Sequence, residues 1–256
     1  MDRLVIYTCI TGGYDTLLQP AAPPDWCDFV CLVPEGDRPE GKDGVWTVRR
    51  FDCGADSPAA ASRYPKMHPH EFFPEYEYSL WTDGNVGIAD AAFYDLLRPL
   101  MERKVLYAGV RHPLRDCAYD EAYACLSGGK STLRPMLASV NLLAASGLPR
   151  HAGLLENNVI FRSHRDPSVI SLDERWWKLY YGCSRRDQMF LPLCLRDAGI
   201  TPELIFPDGE CARTSPLLQC ISHDRPEDGR FWPKKWRGLK RALSRLLLGL
   251  RLEFVR

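Results

Sequence analysis

The sequence predicts an α/β domain built on a mostly parallel sheet with helices over both faces, followed by an amphipathic C-terminal helix. Three observations predict it. Residues 4–10 (LVIYTCI) and 29–33 (FVCLV) are continuously apolar and rich in β-branched side chains, as strands buried on both faces must be. Helical stretches alternate with the later strands. Two polar turns, Thr11-Gly12-Gly13-Tyr14-Asp15 and Asp83-Gly84-Asn85, follow strands at the carboxyl edge, where such sheets hold ligands. A chain of 256 residues buries a sizeable core, so folding needs no disulfide or metal staple.

The first strand, residues 4–10, runs into the glycine turn at 11–15. The second, 29–33, ends at Pro34 and a Gly/Asp/Pro-rich loop, and a short third follows at 45–48. Residues 59–72 read as a helix carrying Lys66, made irregular by Pro65 and Pro69. A strand at 76–81 delivers Asp83, then come a helical stretch at 90–102 and a strand at 105–108. Residues 119–126 and 133–146 are helical, the second stopped by Gly147 and Pro149. A late strand at 159–161 precedes helices at 173–181 and 186–197.

Basic and acidic residues balance at 33 each, and a net charge of zero argues against a dedicated nucleic-acid binder. The balance is uneven along the chain. From Arg230 onward nine basic residues face Glu253 alone, which divides the sequence into a domain at 1–229 and a basic tail at 230–256. In the tail Trp236, Leu239, Leu243, Leu246, Leu247, Leu250 and Phe254 recur at helical spacing, with Lys234, Lys235, Lys240, Arg241 and Arg245 crowding the other side. That is the pattern of a helix lying in a membrane interface, where each cation near anionic lipid contributes roughly 1 kcal/mol. The competing expectation is that these leucines pack on the domain. The ten cysteines form no CxxC pair and several sit in apolar runs, pointing to free thiols in a reducing compartment. Met1-Asp2-Arg3 leads directly into a strand and no apolar run approaches about 18 residues. A cytoplasmic location is expected, with peripheral docking on the inner membrane face.

Asp83 and Asn85 stand two apart on an extended stretch, so both can face one hard cation, Mn²⁺ or Mg²⁺, of the kind that bridges substrate phosphates. A plain strand-to-loop turn is the alternative. Two apparent motifs fail. Ser127-Gly128-Gly129-Lys130-Ser131-Thr132 lacks the first glycine of a P-loop, where Ala124 stands, and reads as a helix stop. His68-Pro69-His70 offers two imidazoles, too few for a zinc site.

Residues 76–86 (YEYSLWTDGNV) resemble the strand and Asp-x-Asp element of GT-A glycosyltransferases. More closely, the chain resembles a glycosyltransferase-like family once catalogued as a domain of unknown function. That family has plant members linked to mucilage and turgor and bacterial members in surface-glycan gene sets. The resemblance rests on an ordered set of stretches: 7–15 (YTCITGGYD), 62–69 (SRYPKMHP), 81–86, His112-Pro113 with Arg115-Asp116-Cys117, 156–162 (ENNVIFR) and 184–188 (SRRDQ). It implies a GT-A-like, Rossmann-type fold that transfers a sugar from a nucleotide-sugar to a glycan or lipid-linked acceptor in surface-glycan synthesis.

On that resemblance Thr11, Gly12, Gly13, Tyr14 and Asp15 would cradle the nucleotide, Arg63 and Lys66 would meet ribose or diphosphate, and Asp83 would bind the metal. Asn85 stands where the second aspartate of the pair is usual, which weakens the metal set. Asp187 and Gln188 would lie beneath the transferring sugar, Asp187 holding hydroxyls or acting as general base. Glu156, Asn157 and Asn158, read as preceding a strand, suit sugar hydroxyls, and Arg186 joins them as a substrate contact. His112 and Arg115 fall on the acceptor side, and His223 is the candidate third metal ligand with His164 its rival. Two alternatives stand beside this: a metal-assisted lipid amide hydrolase, since ceramidase activity has been proposed within the family, and a non-catalytic sugar-nucleotide-binding module. The first needs a metal-activated water, and the sequence shows no His-rich cage to make one.

Overall fold

The computed structural model describes residues 3–206, 210–222 and 234–253. Strand β1 (Leu4–Cys9) is buried at every position and pairs in parallel with both β2 (Cys27–Pro34) and β5 (Tyr78–Thr82). Its unbroken apolar run follows from that place, since a central strand has no solvent face. β4 (Trp46–Phe51) adds in parallel to β2, and β3 (Gly41–Asp43) closes that edge antiparallel. Beyond β5 come β8 (Leu155–Arg162) and β7 (Tyr107–Arg111), both antiparallel neighbours, then β9 (Glu203–Leu204) parallel to β7. The order β3-β4-β2-β1-β5-β8-β7-β9 is that of a large, mostly parallel α/β sheet, with its antiparallel pairs around β8 and at the β3 edge. A separate antiparallel pair joins β6 (Val86–Ile88) to β10 (Leu218–Cys220).

The expected helix at 59–72 is two helices. α1 (Pro58–Met67) starts where the Ser57 hydroxyl accepts from the Ala60 amide, and α2 (Pro69–Phe72) resumes after His68. Pro69 disfavours helical geometry at the residue before it, so the break falls there. His68 and His70 pair with Glu174, tying this break to α6 (Pro167–Gly182). α3 (Ala92–Glu102) covers one face of the sheet. α4 (Ala118–Ser127), α5 (Leu133–Ala145), α6 and α7 (Asp187–Asp197) cover the other. Alternation along β5 feeds both cores, Leu80 into one and Trp81 into the other. α4 ends at Ser127 with Gly129 at φ +72°, so Gly128-Gly129 is a helix stop as expected. All ten cysteines are free thiols. α8 (Lys234–Glu253) packs on α4 and α5.

Candidate donor site at the carboxyl edge of the sheet

The carboxyl ends of β1, β5 and β7 share one edge. Antiparallel β8 brings its start to that same edge, with the Asp83 amide donating to the Asn158 carbonyl at 2.8 Å. The 11–15 and 83–85 turns touch there: a Cβ on Gly84 would lie 2.9 Å from Asp15 Oδ2 and 3.2 Å from Ile10 Cγ1. Glycine at 84 is what that approach requires. Gly12 and Gly13 both take left-handed φ, +63° and +61°, in a tight turn closed by Tyr14 N donating to Thr11 O. Asp37 accepts from the Gly12 amide, and the Thr11 hydroxyl donates to the Pro58 carbonyl at 3.0 Å. Beside this turn lies a cavity of about 320 Å³ lined by Thr11, Gly12, Asp37, Asp56 and Ser57. A larger one, about 480 Å³, opens at the opposite edge around Arg3, Asp28 and Tyr76, away from the acidic turns.

Lys66 is the centre of the site. Its side chain is 1% exposed, and Nζ donates to Asp187 Oδ2 at 2.8 Å and to Asp83 Oδ1 at 3.1 Å. The Trp81 indole donates to the same Asp83 oxygen at 2.8 Å. Arg63, one turn before Lys66 on α1, places Nε 3.4 Å from Asp187 Oδ2. Burial raises the Asp187 pKa, but Lys66, Arg63 and Arg186 more than offset it and hold the carboxyl well below the usual range. The Trp176 indole fixes the Asp187 carbonyl at 2.8 Å.

Glu156, Asn157 and Asn158 lie inside β8 and do not precede it. Gly109 pairs with Ile160 but Arg111 with Leu155, so two steps of β7 face five of β8 and the strand bulges across these residues. The bulge leaves polar atoms buried without partners: Glu156 Oε2, both polar atoms of Asn157, and Asn158 Oδ1. Arg186 Nε is a further buried donor without a partner. Burial raises the Glu156 pKa, with Arg213, 2.9 Å away, pulling against it. Gln188 reaches toward the Leu155 carbonyl at 3.5 Å.

Other expected residues have local partners. His112 Nδ1 accepts from the amides of Leu114 and Arg115, and Arg115 Nε donates to Glu121 at 2.6 Å, so both organise their own loop. Burial, then Arg115, lowers the His112 pKa. Asn85 clamps the 83–85 turn to β10 by donating Nδ2 to the Ile221 carbonyl at 2.9 Å. His164 is no rival metal ligand: it sits past the far end of β8, donating Nε2 to the Phe73 carbonyl, with burial pushing its pKa down to about 4. His223 lies outside the described residues.

The sequence reading missed Arg162 as a positioning residue. It is fully buried, pairs with Asp173 at 2.8 Å, and donates to Tyr7 Oη at 2.8 Å and to the Lys66 carbonyl at 2.6 Å. Tyr7 in turn donates to the Pro65 carbonyl at 3.2 Å, so Arg162 and Tyr7 hold the last turn of α1 and aim Lys66. An arginine inside the apolar run VIFR was the available signal.

A family model described as TOD1/MUCI70, glycosyltransferase-like domain, matches residues 38–169. The match takes in Lys66, Asp83, His112 and Glu156, and leaves residues 11–15 and Asp187 outside. Among solved structures, one titled "WbbM bifunctional glycosytransferase apo structure" superposes with TM-score 0.42 and 11% identity. That alignment covers 75% of this chain and 37% of the length of the other. No curated protein matches the sequence.

Proposed function

Since the chain belongs to the TOD1/MUCI70 glycosyltransferase-like family, we propose that it transfers a sugar from a nucleotide-sugar donor to a hydroxyl of a glycan or lipid-linked acceptor. The observation that carries the proposal is the set of partnerless buried polar atoms at Glu156, Asn157 and Asn158, in the strand that bonds Asp83, itself a partner of Lys66. Buried polar groups are nearly always satisfied, and a hydroxyl-rich ligand supplies both donors and acceptors.

In the transfer, the acceptor oxygen bonds to the anomeric carbon as the bond to the diphosphate breaks. The electron pair leaves with the nucleoside diphosphate. Lys66 and Arg63 face the charge that builds there. Asp187, held ionised by its cations, is a weak base suited to gripping sugar hydroxyls. Glu156, raised by burial, is the better acceptor for the hydroxyl proton. The glycine turn at 11–15 and the adjoining cavity would hold the nucleoside, with Asp37 and Asp56 as acceptors for ribose or base.

Mn²⁺ or Mg²⁺ would be held by Asp83, whose second oxygen stays clear of Lys66 and Trp81, together with Asn85. Donor phosphates and water would complete the coordination of such an ion. When bound, the ion would supply positive charge at the leaving group.

A thermal-shift screen of nucleoside diphosphates and their sugars, with and without Mn²⁺, tests the reading. At least one is expected to stabilise the chain, and Asp83→Ala to erase the Mn²⁺ increment, read against the variant's own apo melting point because it also loses the Lys66 and Trp81 contacts. Silence across the whole screen would overturn the transferase reading.

A further inference from the structure

We infer that α8 is a docking helix that lays an exposed leucine stripe on an anionic bilayer surface. The sequence leaves two fates open for its leucines, and the packing separates them. Leu248 and Leu252, 0% and 8% exposed, seat the helix in the core that also holds Tyr119 of α4 and Leu143 of α5. Leu243, Leu246, Leu247 and Leu250 fall at i, i+3, i+4 and i+7, one face of a helix, and are 56%, 59%, 43% and 47% exposed. Two side chains hold the helix in this orientation. Arg251 Nε donates to Asn141 Oδ1 at 2.7 Å, and Arg150 donates both to the Leu252 carbonyl at 3.3 Å and to Asp120 at 2.8 Å. The residues that pack the helix are therefore not the ones that make its apolar stripe.

Charge decides what covers the stripe. Nine basic residues against one acidic lie from Arg230 to the end of a chain whose net charge is zero. Two tails packed stripe to stripe would bring two net charges of +8 close together, whereas anionic lipid neutralises them. No helix among the described residues is long and apolar enough to cross a membrane, so the helix lies in the interface. The docking does not rest on the transferase reading.

The test is co-sedimentation of the full chain with vesicles of phosphatidylcholine alone or mixed with phosphatidylglycerol, for the wild type and for Leu243→Asp/Leu247→Asp. Wild type should partition on the order of tenfold more strongly onto the anionic vesicles. The double variant should lose that binding with its melting point unchanged, both positions being exposed. Donor stabilisation, measured on the same samples, should survive in the variant, which separates failure of docking from failure of the transferase reading. The inference is overturned if wild type ignores anionic vesicles or if the variant sediments with them undiminished. It is also overturned if the variant's one effect is to dissolve a dimer in sedimentation velocity.

Discussion

Replacing Lys66 with methionine removes one ammonium and keeps most of the buried stem. At an effective dielectric of about 20, contacts of 2.8 and 3.1 Å correspond to about 5–6 kcal/mol each before desolvation is counted. Removing one partner of a buried pair costs about 3–5 kcal/mol. Arg63 remains 3.4 Å from Asp187 and Asp83 is a quarter exposed, so the lower end applies, about 3 kcal/mol. For a chain of this length that is a fall in Tm of about 6–12 °C. The pH dependence carries the sharper test. Asp187 has a depressed pKa in the fold, so its contribution is present above the unfolded value of about 3.9 and is lost as pH falls below it. In Lys66→Met that contribution shrinks, so wild type and variant should differ most near neutrality and converge in acid. Urea unfolding followed by tryptophan fluorescence across that range measures the gap. A gap that does not change with pH, or one under about 1 kcal/mol at neutrality, would refute the central role given to this lysine.

Gly84→Ala drives a methyl against Asp15 Oδ2 and Ile10 Cγ1; a local cost of about 1–3 kcal/mol and markedly weaker donor binding by calorimetry are expected. Glu156→Gln removes a carboxylate whose pKa burial raises. The variant should match or exceed wild-type stability at neutral pH, an advantage that fades as pH falls toward about 4.3, while transfer activity drops. Arg162→Met strands the buried Asp173 carboxylate and frees the Lys66 carbonyl, so a loss of about 3–5 kcal/mol should appear in urea unfolding; a near-neutral result would remove its positioning role.

Much of the fold was legible because its signals are local. The apolar run at 4–10 is a strand without a solvent face, and Gly147 with Pro149 stops the helix before them, with no tertiary help. The short strands β3, β6, β9 and β10 were not legible, being too brief to show any period and held by the neighbours they pair with.

The sequence by itself determined the residue types at the site: two polar turns after apolar strands, a lysine and an arginine one helical turn apart, an acidic helix start at Asp187. Tertiary structure decided how they meet. The sequence shows Lys66 only as a cation on a helix; the packing of α1 against β1 and α6 buries it between carboxylates 17 and 121 residues away. Glu156 to Asn158 would sit at the wrong edge if β8 ran parallel like its predecessors. Strand direction is set by long-range pairing and leaves no local mark, and the antiparallel pairing of β8 with β5 and β7 carries them to the edge that holds the 11–15 and 83–85 turns. The same holds for α8, where periodicity revealed a stripe of leucines but only packing through Leu248 and Leu252 left that stripe facing out.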